Sequence, residues 1–171
     1  MKKLWLFPLL CILLCGCAGK AWSPEEALRS AGEITLSTED VTTVITFTEE
    51  GCVFRFTAPE TLKRLTVCYD GKELTATYGT LETRVPGSFL GKILPAYHLL
   101  KAFREETAAQ GGENIRKITL DEREFLLYYD SESEKITRLE VKGADGTLCY
   151  DVLSYIETND DTESTGTDPD P

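Results

Sequence analysis

Residues 41–59 read VTTVITFTEEGCVFRFTAP, and the fold class follows from the pattern of this segment. On each side of Glu50-Gly51, side chains alternate between two faces, as they do along a half-buried strand. The alternation places Phe47 on one face of a first strand and both Phe54 and Phe56 on one face of a second. The stretch therefore predicts a β-hairpin, in which Glu50-Gly51 forms the turn.

The same pattern extends in both directions along the chain. It begins at Glu33, so we expect one half-buried strand from there to the turn. Asp70-Gly71 is a strong signal for a two-residue hairpin between Leu65 and Tyr78. Further short strands are predicted at residues 81–85, 115–120, 125–129, 136–141 and 148–156. Sequential hairpins of this kind predict an antiparallel meander.

Two segments depart from the alternation and predict helices. Residues 23–26, Ser-Pro-Glu-Glu, combine an N-cap, proline at the first helical position and acids in the first turn, so a short helix should run to about Ala31 and end at Gly32. Between Ser88 and about Ala109, apolar residues recur at spacings of three and four.

Pro95 should divide this second segment into a short helical turn and a main helix that ends near Thr107. Residues 110–112, Gln-Gly-Gly, are expected to close it. The fold class predicted for residues 23–156 is therefore α+β, mostly β: an antiparallel sheet with one main helix, at about 88–109, against one face.

The N-terminus has the three-part pattern of a secretion signal. Lys2 and Lys3 precede an apolar run from Leu4 to Leu14, which is too short to cross a bilayer as a helix. The run ends in Leu14-Cys15-Gly16-Cys17, which resembles the lipobox of bacterial lipoproteins.

This resemblance implies that residues 1–16 are removed, that Cys17 receives the lipid, and that residues 17–22 form a tether. The alternative is a conventional signal that happens to contain cysteines. In the first case the protein is extracytoplasmic and anchored to the cell membrane without crossing it, because two or more acyl chains give stable anchoring.

Composition limits the remaining classes of function. The formal net charge is −11 and the bases after the signal form no stripe, so neither nucleic acid nor anionic lipid is an expected partner of the charged surface. Residues 157–171 contain six acids and no base, which predicts a disordered acidic tail.

Catalytic and metal-binding motifs are not apparent in the sequence. The single histidine, His98, has no neighbouring nucleophile motif, and no Cys-x-x-Cys pair occurs among Cys52, Cys68 and Cys149. We therefore expect neither an enzyme nor a cofactor. The three cysteines are most simply small buried strand residues, although a disulfide between Cys52 and Cys68 is an alternative in an oxidising exterior.

A set of motifs in order resembles the superfamily of periplasmic lipoprotein carriers (LolA/LppX-like). These are GCVFRFTAPE at 51–60, LTVCYDGKEL at 65–74, and Tyr78. In that superfamily, a strand of Gly, aromatic, Arg, aromatic and Pro precedes an Asp-Gly-Lys hairpin and a tyrosine-bearing strand. The resemblance implies a strongly curved, unclosed antiparallel half-barrel whose concave face is covered by helices. Clostridial germination-type lipoproteins belong to this superfamily, whose members share a scaffold more than a reaction.

Two functions follow as expectations. The first is a membrane-anchored, non-catalytic lipoprotein that binds an apolar ligand, a lipid or an acyl chain, in the half-barrel. The second is a protein-interaction or regulatory module in envelope or spore processes, with a filled core. The ligand pocket of the first would be lined by apolar residues of the sheet and the main helix, namely Phe47, Phe54, Phe56, Val67, Tyr69, Ile93, Tyr97 and Leu100.

Overall fold

The computed structural model describes residues 22–89, 95–105, 110–120, 122–144 and 146–157. These residues form two α-helices, α1 (Pro24–Ser30) and α2 (Pro95–Glu105), and two short 3-10 helices at Glu60–Leu62 and Gly87–Phe89. The strands are β1 (Ala31–Ser37), β2 (Thr42–Phe47), β3 (Cys52–Ala58), β4 (Leu65–Tyr69), β5 (Glu73–Tyr78), β6 (Leu81–Pro86), β7 (Gln110–Gly112), β8 (Ile115–Leu120), β9 (Arg123–Asp130), β10 (Lys135–Gly143) and β11 (Gly146–Glu157). The predicted signal peptide, Cys17 and the tail after Glu157 lie outside the described residues.

All of these strands belong to one antiparallel sheet with the order β6-β5-β4-β3-β2-β1-β11-β10-β9-β8-β7. The sheet does not close, because β6 and β7 lie at its two edges. The predicted class, mostly β with an unclosed half-barrel and two helices, is confirmed.

The predicted single meander is wrong in one respect. The chain forms two meanders, β1 to β6 and β7 to β11, which are joined where β1 pairs with β11. The expected strand from Glu33 to the first turn is two strands, because Thr38 and Val41 close a turn between them through a 2.8 Å backbone hydrogen bond. Residues 110–112, expected to end the helical segment, form the short strand β7.

The helices begin as the sequence predicts. The Ser23 hydroxyl caps α1 by accepting a hydrogen bond from the Glu26 amide, and Pro24 occupies the first turn. α1 ends at Ser30, one residue before the predicted Ala31. Gly32 does not end the helix but belongs to β1, which begins at Ala31 and leads the chain directly into the sheet. α2 begins at Pro95, preceded by the short 3-10 helix Gly87–Phe89.

The core lies on the concave face of the sheet. Neighbouring strands align Ile34, Ile45, Phe54 and Val67 in one row, and each of these side chains is buried. Apolar residues of α2 complete the same cluster, namely Ala96, Leu99, Leu100, Ala102 and Phe103. Phe47, Phe54 and Phe56 share the concave face, as the alternation predicts, because they pair with Cys52, Ile45 and Thr43 respectively.

Several elements meet at one end of the sheet, which we call the entry end. It is the end where α1 leads into β1, where β11 finishes opposite Ala31, and where residues 48–51 connect β2 to β3 and residues 70–72 connect β4 to β5. Two contacts fix the first described residues there: the Trp22 ring lies 5.8 Å from that of Tyr129, and Glu25 forms a 2.8 Å ion pair with Arg116.

Replacing Leu139 by alanine tests the position of the core. Leu139 is completely buried whereas Leu153 is 60% exposed, although both belong to the second meander. Leu139→Ala should lower the free energy of unfolding by about 2–5 kcal/mol, because a cavity remains where the side chain was. The matched control Leu153→Ala should change it by no more than about 0.5 kcal/mol. Urea unfolding measures both, and equal losses would contradict the concave core.

Candidate ligand cleft

A cleft of about 460 Å³ opens at the entry end, between the β2–β3 and β4–β5 turns and the C-terminal half of α2. Its volume lies within the range of roughly 300–1,000 Å³ that is usual for small-molecule sites. The cleft combines an aromatic floor, formed by Phe47, Tyr69 and Tyr97, with a rim of charged side chains.

The floor is an extension of the core. The Tyr97 ring meets those of Tyr69 and Phe54 edge to face, with centroids 5.4 and 6.3 Å apart. Burial, with a smaller contribution from nearby Cys52, raises the pKa of the Tyr97 phenol to about 12, so the phenol stays neutral at physiological pH. The three rings are only partly buried, and they therefore offer apolar surface to a ligand.

Two turns shape the cleft walls. At Gly51, a Cβ atom would lie 1.9 Å from the Tyr69 carbonyl oxygen, so only glycine permits this approach of the β2–β3 turn to β4. In the β4–β5 turn, the Asp70 carboxylate accepts hydrogen bonds from the amides of Lys72 and Glu73. These amides lower the pKa of Asp70. The turn signals in the sequence thus place Phe47 and Tyr69 on the same face of the sheet, on either side of Cys52.

Arg104 forms the most constrained part of the rim. Its guanidinium donates hydrogen bonds of 2.6 and 2.9 Å to the carbonyl oxygens of Leu28 and Ala31, and its Cζ atom lies 3.9 Å from the centroid of the Phe47 ring. Burial lowers the pKa of Arg104. Within the described ranges no ion pair joins this guanidinium to a carboxylate, so carbonyl dipoles and the aromatic face stabilise the charge instead.

The remaining rim residues carry both signs of charge. Arg29 and Lys101 lie on the helical side, and Glu49 and Glu50 lie in the β2–β3 turn. Lys101 is 3.7 Å from Glu105 of the same helix and keeps nearly half of its side chain exposed. The rim is therefore able to meet a polar head group, whereas the floor is suited to an apolar body.

The predicted pocket residues occupy three different positions. Phe47, Tyr69 and Tyr97 line the cleft, while Phe54, Val67 and Leu100 lie in the packed core, with at most 5% of their surface exposed. Phe56 borders a separate shallow groove with Thr57 and Lys63, and Ile93 is outside the described residues. Sequence reasoning missed the charged rim, since no local motif links residues that come from both helices and a turn.

The cysteines differ from the prediction of three buried residues. Cys52 is buried, but Cys68 is exposed and Cys149 is only partly buried. Cys52 pairs with Tyr69 and Cys68 with Val53, so the two sulfur atoms lie on opposite faces of the sheet and the alternative disulfide does not form. Burial raises the pKa of the Cys52 thiol to about 12, which keeps it protonated beneath the cleft.

In the described part of the chain, no group of three His, Cys, Asp or Glu side chains could hold a metal ion, and no helix is long and apolar enough to span a membrane. His98 is exposed on α2, with its ring edge-on to Tyr97. No protein-family model matches the chain, and no curated protein is significantly similar to it in sequence.

Arg104→Lys tests whether the guanidinium holds the cleft together. A lysine keeps the charge but cannot bridge two carbonyl groups and stack on Phe47 at the same time, so we expect a loss of about 1–3 kcal/mol in the free energy of unfolding. Arg84→Lys on the exposed strand β6 is the matched control and should be within about 0.5 kcal/mol of the parent protein. Urea unfolding of both variants is the measurement. An Arg104→Lys protein as stable as the control would refute this role.

Proposed function

We propose that the protein is a non-catalytic lipoprotein, anchored outside the cytoplasm through a lipid on Cys17, that binds a lipid or an acyl chain at the cleft of the entry end. The observation that carries the proposal is the aromatic floor of Phe47, Tyr69 and Tyr97 beneath an open cleft of about 460 Å³. The guanidinium of Arg104 covers one face of Phe47. An apolar ligand would cover the part of the three rings that stays exposed, which the hydrophobic effect favours.

The packed interior argues for a ligand at the mouth of the half-barrel rather than deep inside it. Phe54 and Leu100 are completely buried in the same core cluster, which fills the region below the floor. An acyl chain would therefore lie along the floor, and its polar end would reach the rim. Lys101 is the rim cation best placed for an anionic head group, because its side chain is exposed and Glu105 is its only ion-pair partner in the described residues.

The position of the cleft supports a ligand that comes from the membrane. The cleft and Trp22 lie at the same end of the sheet, and Trp22 is held there by its contact with Tyr129. If Cys17 carries the lipid, the tether of residues 17–22 spans at most about 20 Å even when fully extended. The entry end would then stay close to the bilayer surface.

One observation favours the alternative, a protein-interaction module in envelope or spore processes. Leu153 and Ile156 of β11 are 60% and 61% exposed, which leaves apolar surface for a protein partner. A filled core with no bound small molecule would agree with this alternative. The two functions therefore make opposite predictions about the contents of the cleft.

Mass spectrometry of the full-length protein, extracted under native conditions, distinguishes the two functions. We expect the parent protein to carry a lipid or fatty acid besides its covalent anchor. Lys101→Glu places a negative charge beside the anionic head group and should reduce ligand occupancy at least tenfold, a change of about 1.4 kcal/mol.

Lys63→Glu is the matched control for this experiment. Lys63 is as exposed as Lys101 and also pairs with a glutamate, Glu60, but it lies away from the cleft. The ligand occupancy of Lys63→Glu should equal that of the parent protein. A parent protein without any noncovalent lipid, or equal losses in both variants, would contradict binding at the cleft.

A further inference from the structure

Strand β6 leaves one edge of the sheet open. Among the described residues it is the outermost strand and pairs only with β5, and residues 81–84 are all exposed. Leu81 is 71% exposed, the largest value among the exposed large apolar residues of the described chain. A free strand edge is a template for pairing with another strand unless charge, proline or a covering segment prevents it. The single proline of β6, Pro86, is its last residue and leaves residues 81–85 able to pair.

The hydrogen bonds of the neighbouring hairpin determine which groups of β6 point outward. The Asp70 amide donates to the Glu73 carbonyl, so this pair is hydrogen-bonded across the β4–β5 turn. Hydrogen-bonded and non-hydrogen-bonded pairs alternate along an antiparallel ladder, and Thr75 and Thr77 therefore direct their backbone groups toward β4. Leu74, Ala76 and Tyr78 direct theirs toward β6.

The partners of these three residues in β6 are Val85, Thr83 and Leu81, whose backbone groups are thereby occupied. Glu82 and Arg84 lie between them, so their N–H and C=O groups point away from the sheet. The Glu82 and Arg84 side chains share one face and form a 3.1 Å ion pair with each other. The open edge thus presents two peptide units that carry opposite charges.

We infer that a second copy of this chain adds its own β6 to this edge, antiparallel and centred on Thr83. In this register Glu82 lies opposite the partner's Arg84, and Arg84 lies opposite the partner's Glu82. Leu81 lies opposite the partner's Val85. The outward peptide groups of the two copies also meet each other, which is the condition for a continuous ladder.

Charge selects this register among the symmetric ones. Centring the pair on Glu82 or on Arg84 would bring two like charges directly opposite each other, which is unfavourable in an antiparallel pair. Only the Thr83 register matches each charge with its opposite and also brings outward-facing groups together. The other edge, β7, has three residues, two of them glycine, and offers no such pattern.

The self-complementary pattern is also the reason to expect a second copy rather than an unrelated strand. Charged residues on an edge usually prevent pairing because a neighbouring strand meets the same sign. Here Glu82 and Arg84 remove that obstacle for an antiparallel strand that places a base opposite Glu82 and an acid opposite Arg84. Strand β6 itself is such a strand.

Disulfide trapping tests the pairing in membranes that contain the full-length chain. The two Thr83 residues would form a non-hydrogen-bonded pair with Cα atoms about 4.5 Å apart, which is within the range of a disulfide. In a Cys68→Ser background, Thr83→Cys should give a covalent dimer on mild oxidation. Thr80→Cys is the matched control in the same hairpin, because the two Thr80 residues would be roughly 20 Å apart. The background protein gives the baseline for the other cysteines.

Charge reversal then tests the register. Glu82→Arg or Arg84→Glu, each added to the Thr83→Cys protein, should reduce the yield of trapped dimer at least tenfold. In either variant, position 82 of each copy carries the same charge as position 84 of the other copy, so both cross-strand pairs are repulsive. Co-expression of the two single variants with different tags should restore a mixed dimer, since every pair is again of opposite sign. Trapping at Thr83 no greater than at Thr80 would overturn the homodimer. A yield of trapped dimer that charge reversal leaves unchanged would overturn the proposed register.

Discussion

The pairing of β1 with β11 is the constraint on which the rest of the structure depends. It joins the first and the last strand of the domain at the middle of the sheet, so that two separate meanders become one curved surface. Ile34 and Leu36 of β1 and Val152 and Tyr155 of β11 thereby reach the same core. The cluster that α2 completes takes buried residues from both meanders, such as Phe54 of β3 and Leu139 of β10, so the core is complete only when the two meanders have paired.

The cleft follows from this arrangement. Because β1 starts directly after α1, the C-terminal carbonyl groups of α1 lie at the entry end, where the Arg104 guanidinium of α2 binds them. Arg29 of α1 in turn donates to the Arg104 carbonyl, so that each helix end supports the other. The same guanidinium covers the Phe47 ring. One half-buried cation thus connects the two helices, the sheet and the cleft floor, and this explains how a polar rim can border an apolar core.

Local patterns predicted the parts of this structure that depend on local interactions. The N-terminal cap of α1, the start of α2 at Pro95, the Asp70-Gly71 turn and the concave face of Phe47 and Phe54 all follow from sequence. The turn at Thr38 was missed because it contains neither glycine nor proline, and β1–β11 pairing was missed because it joins residues far apart in the chain. The three residues of the cleft floor, Phe47, Tyr69 and Tyr97, were predicted as pocket residues from strand alternation and helical spacing. The charged rim was not, since Arg29, Glu50 and Lys101 meet only after the sheet is assembled.

Site mapping with a photoreactive fatty acid would show whether the entry-end cleft binds an acyl chain. Full-length protein in membranes would be irradiated with a diazirine-bearing fatty acid, and the labelled peptides identified by mass spectrometry. Labels should be concentrated in β2, β4 and α2, around Phe47, Tyr69 and Tyr97, and an excess of unmodified fatty acid should remove them. Labels confined to the exposed apolar residues of β11, or labels that competition does not remove, would contradict binding at the cleft.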